Sequence, residues 1–121
     1  MSERDVFVLL DQLVKASRLA MSFLEGLSET EFLRDRRTQQ AVALNLMIIG
    51  EATARLSRDH ADFIAQHPEG EWRRMIGMRN RIAHGYFELD VGVVWQTART
   101  DLPKLLQRLE KIYREAGEEM T

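Results

Sequence analysis

Apolar residues recur at intervals of three and four positions along almost the whole chain, which is the spacing of one face of an α-helix. Three long segments carry this pattern most clearly, the second of them from about residue 36 to residue 57. Their predicted inner faces are Val6, Leu10, Leu13, Ser17, Ala20 and Leu24 in the first, Val42, Leu46, Ile49, Ala52 and Leu56 in the second, and Val94, Thr97, Leu102, Leu105, Leu109 and Ile112 in the third. Residues 71–85 also have a helical pattern, and no stretch alternates apolar and polar residues over a useful length. The sequence therefore predicts an all-α fold, an up-and-down bundle of about four principal helices in one domain, residues 1–121.

A few residues predict where these helices begin or are interrupted. Ser28 and Glu31 have the spacing of a capping box, and Asp90 is placed to cap the last long segment. Pro103 lies inside that last segment, so we expect a kink or a break there. Gly50 lies inside the second segment, where glycine is unfavourable unless close packing requires it.

The composition limits the classes of protein to which the chain can belong. Its 121 residues are 45% hydrophobic and 30% charged, which is typical of a globular protein rather than a disordered one. Without cysteine the chain has neither disulfides nor thiolate metal sites. The first 20 residues have mixed charge and do not read as a secretion signal, and no apolar run approaches the roughly 20 residues of a membrane span. We expect a cytoplasmic protein that does not bind membranes.

Residues 72–87 contain four arginines, Arg73, Arg74, Arg79 and Arg81, and no carboxylate, although the net charge of the chain is −2. A local positive potential of this kind attracts an anionic ligand whatever the net charge is. An arginine face that is solvated and paired with acids from other helices would have the same sequence. Both interpretations stay open on the charge pattern alone.

Within this stretch, "MRNRIAHGYF" combines His84 with arginines at the end of a predicted helix that Gly85 follows. His84 lies close to the line of Asn80 and Arg81, so Asn80 could hydrogen-bond the imidazole and fix its tautomer. Arg79 is five residues from His84, about 140° around an ideal helix. The two side chains can therefore reach one ligand only if the helix end bends or if a second copy of the chain completes the site in a two-fold dimer.

These residue types suit RNA cleavage without a metal. Histidine transfers protons at physiological pH, arginine stabilises charge on phosphoryl oxygens, and the 2′-hydroxyl of RNA is its own nucleophile. The absence of carboxylates from residues 72–87 argues against a magnesium site there. No other set of metal ligands is apparent in the sequence, so neither a metal nor a cofactor is expected. Alternatively, a histidine in the last turn of a helix interacts with the helix dipole and often has no other role.

Glu51 is a carboxylate on a segment that is apolar on more than one side. Such a group requires a partner, and an arginine of residues 71–85 is the expected one. This pairing would serve either the site or the fold alone.

Arg79, His84 and Tyr86 match the R-x4-H-x-Y signature of the HEPN ribonuclease superfamily. Three blocks in order, "NLMIIGEATARLS", "EWRRMIGMRNRIAHGYFELD" and "VVWQTARTDLPKLL", make the chain similar to the HepT-like toxins of two-gene toxin–antitoxin systems. The resemblance extends from residue 36 to about residue 109 and implies a HEPN-like helical fold.

The resemblance implies a role for each motif residue. Arg79 and His84 would be the catalytic pair of a metal-independent ribonuclease, while Asn80 would orient the substrate or the histidine. Tyr86 would be adenylylated by a cognate antitoxin, a minimal nucleotidyltransferase, as in type VII-like systems. The resemblance also implies a homodimer with both motifs at one cleft. Two alternatives remain: a helical module that binds a nucleotide or a partner and cleaves nothing, and a purely structural helical dimer.

Overall fold

The computed structural model describes residues 3–68, 71–85 and 88–120, and within these ranges it contains helices and no strand. The helices are α1 (Glu3–Phe23), α2 (Glu29–Phe32), α3 (Arg36–Asp59), α4 (Ala61–Gln66), α5 (Trp72–His84), α6 (Val91–Gln96) and α7 (Leu102–Glu115), and a π-helical turn, Thr97–Asp101, joins α6 to α7. The principal elements are α1, α3, α5 and the α6–α7 unit. The predicted all-α fold is confirmed.

Helix α3 is the central element because it packs against both α1 and α5, while the α6–α7 unit packs against α1 and α3. Every residue of the predicted inner faces is at most 6% exposed, so the helical spacing identified the core. Each buried valine, leucine or isoleucine side chain contributes about 1.5–3 kcal/mol, which makes these inner faces the main stabilising feature of the fold.

The predicted helix starts are confirmed. Glu31 N–H donates to Ser28 Oγ and Ser28 N–H donates to Glu31 Oε1, the two bonds of a capping box. These bonds, the backbone one first, lower the pKa of Glu31. The Asp90 carboxylate accepts from Val93 N–H at 3.2 Å and caps α6.

The predicted interruption at Pro103 is also confirmed, and its form is a wide turn rather than a kink. Residues Thr97–Asp101 are π-helical, and Pro103 lies in the first turn of α7. A proline within an α-helix lacks an N–H donor and collides with the carbonyl four residues earlier, whereas the first turn tolerates it. The wide turn therefore allows two helices to follow one another with Pro103 at an acceptable position.

None of the helices in the described ranges combines the length and the hydropathy that a membrane span requires.

Candidate active site

Helix α5 is held firmly in the bundle by one buried face. Trp72, Met75 and Ile82 are buried, and Trp72 Nε1–H donates to the backbone oxygen of His67 at 2.7 Å. The same helix exposes Asn80, Arg81 and His84. The buried face fixes the position of α5 in the bundle, and the polar side chains lie on its exposed face.

Arg79 donates two side-chain hydrogen bonds. Its Nη1–H donates to Glu51 Oε1 at 2.8 Å, and its Nε–H donates to Asn80 Oδ1 at 2.9 Å. The prediction that Glu51 pairs with an arginine of this helix is therefore confirmed. The Arg79 side chain is 22% exposed and that of Glu51 is 63% exposed. An ion pair as open to water as this one contributes at most about 1 kcal/mol, so a phosphate can compete with it.

The two hydrogen bonds leave most of the Arg79 guanidinium unused. A guanidinium has five N–H donors, and the bonds to Glu51 and Asn80 use one on Nη1 and the one on Nε. Neither donor on Nη2 has an acceptor among the described residues. This is a guanidinium whose orientation is fixed while one edge stays free, which is the arrangement that suits recognition of phosphate oxygens.

Asn80 hydrogen-bonds Arg79 and not His84. Its Oδ1 accepts from Arg79 Nε–H, and within the described residues no hydrogen bond joins it to the imidazole. The predicted contact, in which Asn80 fixes the tautomer of His84, is thus replaced by one that fixes the guanidinium. The first carbons of the Arg79 side chain lie against Gly50 of α3, and from there its Nε–H reaches Asn80 Oδ1.

His84 is the last residue of α5 and is exposed. Among the described residues its imidazole has no hydrogen-bond partner. Gly85 ends the helix as predicted, although its φ of −133° is not left-handed.

Arg79 and His84 lie on different faces of α5, because five residues separate them along the helix. Arg79 is bonded to α3 through Glu51, whereas His84 projects from the exposed end of α5, five residues later. Five residues correspond to about 140° of helix rotation, as the sequence predicted, and α5 is one uninterrupted α-helix from Trp72 to His84.

The remaining arginines of this stretch divide into two kinds. Arg74 Nε lies 3.2 Å from Oδ2 of Asp101, a residue that is only 5% exposed, and this pair joins α5 to the π-helical turn. Arg73 and Arg81 are exposed and form no ion pair with any described residue. The interpretation of these arginines as a paired surface therefore holds for Arg74 and Arg79 only. Arg81 and Arg74 border a groove of about 830 Å³ between α5 and α6.

Tyr86, the predicted adenylylation site, lies outside the described residues, so its modification stays a prediction. In the described ranges no three histidine, aspartate or glutamate side chains are grouped in a way that could hold a metal ion.

Two features of this site were not predicted from the sequence. The bond between Asn80 and Arg79 has no sequence signal, because neighbouring residues on a helix do not normally face each other. The pair between Arg74 and Asp101 requires the relative position of α5 and the π-helical turn, which local patterns do not contain.

Comparison with known proteins identifies the family. The model of the HepT-like ribonuclease family matches residues 13–112. A protein of Thermococcus cleftensis named "Probable ribonuclease HepT" is 39% identical over 103 residues, covering 85% of this chain and 91% of that protein. A protein of Methanocaldococcus jannaschii named "Putative RNase MJ1380" is 31% identical over 110 residues, covering 91% of this chain and 98% of that protein. No solved structure is significantly similar.

The family match covers residues 13–112, a range that contains α5. The chain therefore belongs to the HepT-like ribonuclease family.

Proposed function

We propose that this protein is the toxin of a type VII-like toxin–antitoxin system and that it cleaves RNA without a metal, with Arg79 and His84 as its catalytic residues. One observation carries the proposal: Arg79 is fixed by Glu51 and Asn80 with its Nη2 edge free, on the same helix as an exposed His84. The relatives whose names describe ribonucleases support the reaction class.

In the proposed reaction, Arg79 Nη2 binds non-bridging oxygens of the scissile phosphate and stabilises the charge that develops on them. The imidazole of His84 accepts the proton of the 2′-hydroxyl as the 2′-oxygen forms its bond to phosphorus. The bond from phosphorus to the 5′-oxygen breaks, and that oxygen takes a proton from a second imidazole or from water. The products are a 2′,3′-cyclic phosphate and a 5′-hydroxyl end.

The site is completed by a homodimer in this proposal, because one chain holds Arg79 and His84 on different faces. A surface on α1 and α3 supports such an assembly. Val8, Leu44 and Ile48 are all exposed, Leu44 by as much as 61%, and a groove of about 300 Å³ extends from Leu44 and Ile48 to Glu51. A second copy that covers these apolar side chains would lie beside the Arg79 guanidinium, which Glu51 holds.

Neutralisation is proposed to follow from adenylylation of Tyr86 by a nucleotidyltransferase antitoxin. An adenylate at Tyr86 places a phosphate two residues from His84 in the sequence. That anion competes with RNA for the arginines of the cleft and also blocks it by its size.

The test of catalysis is incubation of purified protein with total RNA in EDTA, beside Arg79→Ala and His84→Ala. Each variant should lower the cleavage rate at least about 100-fold, the usual contribution of one acid–base or charge-stabilising group. Arg73→Ala is the matched control, because Arg73 is an exposed arginine of the same helix without an ion pair to a described residue. Far-UV circular dichroism verifies the fold of every variant.

Three results would contradict the proposal. Cleavage that persists in His84→Ala points to another site or another nuclease, and cleavage that EDTA abolishes points to a metal. RNA binding without any cleavage supports the alternative, a helical module that binds nucleotide or a partner and has no catalytic activity.

The composite site has its own test, the mixing of subunits. Arg79→Ala and His84→Ala are combined in equal amounts after mild dissociation. If each site takes Arg79 from one copy and His84 from the other, random pairing makes half of the dimers mixed, and each mixed dimer has one intact site. About a quarter of wild-type activity should then return. No recovery would mean that both groups of each site belong to the same chain.

A further inference from the structure

Gly50 lies in the interior of α3, where glycine is less favourable than alanine. A Cβ atom at this position would overlap Arg79 Cβ, and it would lie 2.7 Å from Arg79 Cγ and 3.0 Å from the backbone oxygen of Met75. Helix α5 therefore crosses α3 at this point, at a distance that no side chain at Gly50 would allow. The closest atom belongs to the residue that carries the predicted catalytic guanidinium.

Gly77 shows that this contact is particular to Gly50. It is also a glycine in the interior of a helix, yet a Cβ there would meet nothing within 4 Å. Both glycines are less favourable than alanine in a helix, but only at Gly50 does close packing leave no room for a side chain. Gly77 thus provides a matched control for any substitution of Gly50.

The contact at Gly50 determines the path of the Arg79 side chain. The first carbons of the side chain lie over Gly50, and its Nη1 reaches Glu51, the next residue of α3. Because Arg79 Cβ is fixed to the α5 backbone, a methyl group at Gly50 could be accommodated only by moving α5 away from α3. Such a movement would lengthen the bond to Glu51 and change the direction in which Nη2 points.

From this geometry we infer that Gly50 is a positioning residue for RNA cleavage: its missing side chain sets the place of the Arg79 guanidinium. The inference rests on the proposed function, and it assigns a role in the reaction to a residue that has no side-chain chemistry.

The test compares Gly50→Ala with Gly77→Ala in the RNA cleavage assay in EDTA, with rates expressed per folded protein. Gly50→Ala should lower kcat/KM about 10- to 100-fold, which is the effect of a misplacement of about 1 Å at a reacting group. Gly77→Ala should stay within about twofold of wild type. If Gly50 had only a structural role, adding Gly50→Ala to Arg79→Ala would lower the activity further. If Gly50 acts by positioning Arg79, the double variant should be as active as Arg79→Ala alone.

A second pair of variants keeps the inference testable if Gly50→Ala does not fold. Gly50→Ala is introduced into an Arg79→Gly background, which removes both side-chain atoms that collide with the new methyl group. The drop in melting temperature should then be less than half of the drop in the wild-type background. An equal drop in both backgrounds would overturn the inference, because the contact between these residues would not be what Gly50 provides.

The outcomes separate this inference from the proposed function. A wild-type protein that cleaves RNA, together with a folded Gly50→Ala that cleaves it equally well, refutes the positioning role and leaves the ribonuclease intact. A wild-type protein that cleaves no RNA in EDTA refutes both.

Discussion

The hydrogen bond between Tyr113 and Asp11 predicts a specific dependence of stability on pH. The Tyr113 hydroxyl donates to Asp11 Oδ1 at 2.5 Å and joins α7 to α1. The Tyr113 ring is only 2% exposed and meets Phe7 edge to face, with centroids 5.1 Å apart. Burial, followed by the hydrogen bond and the negative charge of Asp11, raises the pKa of Tyr113 well above its ordinary value of 10.0.

A raised pKa in the folded state means that the folded protein keeps a proton that the unfolded chain loses. The contribution of this group is fully present below pH 10 and is lost as the pH rises from 10 towards the folded-state pKa. Over that range one proton is released on unfolding, so the free energy of unfolding falls by about 1.4 kcal/mol per pH unit through this group alone.

Tyr113→Phe removes the titrating hydroxyl and keeps the buried ring. Near neutral pH the variant should be about 1 kcal/mol less stable than wild type, because one hydrogen bond is lost and the exposed Asp11 carboxylate can bind water instead. Above pH 10 the wild type loses stability through Tyr113, and the variant does not. The difference in the free energy of unfolding between the two proteins therefore shrinks. The two proteins should have equal stability between about pH 10.5 and pH 11, because by pH 11 the wild type has lost about 1.4 kcal/mol through this group.

The measurement is urea unfolding of both proteins, followed by circular dichroism, at intervals from pH 7.5 to pH 11. The difference between the two proteins cancels the titration of groups that they share. If this difference stays constant or grows with pH, Tyr113 does not hold its proton in the folded state and the reasoning is wrong.

Three further substitutions test the packing around α5 and α6. Arg74→Ala should destabilise the protein by about 1–3 kcal/mol in thermal unfolding, because the buried Asp101 carboxylate loses its cation; Arg73→Ala should change stability by less than about 0.5 kcal/mol, and equal effects would contradict the prediction. Glu51→Gln should cost less than about 1 kcal/mol, since the pair with Arg79 is open to water. It should tighten RNA binding measured by filter retention, because a negative charge beside the phosphate is removed while the amide oxygen of glutamine can still accept from Arg79; weaker binding would mean that the charge of Glu51 is needed to orient Arg79. Asp90→Ala should cost about 1 kcal/mol through loss of the α6 cap, which chemical denaturation measures against Asp90→Asn, a variant that retains a capping side chain.

The core was predictable from the sequence because it depends on periodicity within single helices. Val42, Ile49 and Leu56 repeat every seven residues and lie on one line of α3, so each of them predicts the burial of the others. The effect of Pro103 was predictable for the same local reason. The capping residues Ser28 and Asp90 were predictable for the same reason, since each side chain accepts a hydrogen bond from a backbone N–H three positions later.

The candidate site was predictable only in part, because its geometry depends on how α5 packs against other elements. The sequence predicted that Glu51 needs an arginine, and its charge and surroundings were sufficient for that prediction. It did not predict that Asn80 bonds Arg79, since this follows from the course of the Arg79 stem across Gly50. From the sequence, Gly50 is only an unfavourable residue in a helix. The structure shows that Arg79 of α5 packs against it.

The anchoring of Arg79 also bears on why the proposed site needs two chains. To reach toward His84 in its own chain, the guanidinium would have to give up its bonds to both Glu51 and Asn80. Bending the end of α5 is opposed as well, because Ile82 is buried just before His84 and holds the last turn in place. A phosphodiester bound at Nη2 of Arg79 therefore meets an imidazole at least cost when a second copy supplies it. The proposed dimer would thus leave both hydrogen bonds of Arg79 in place while the second copy brings the imidazole.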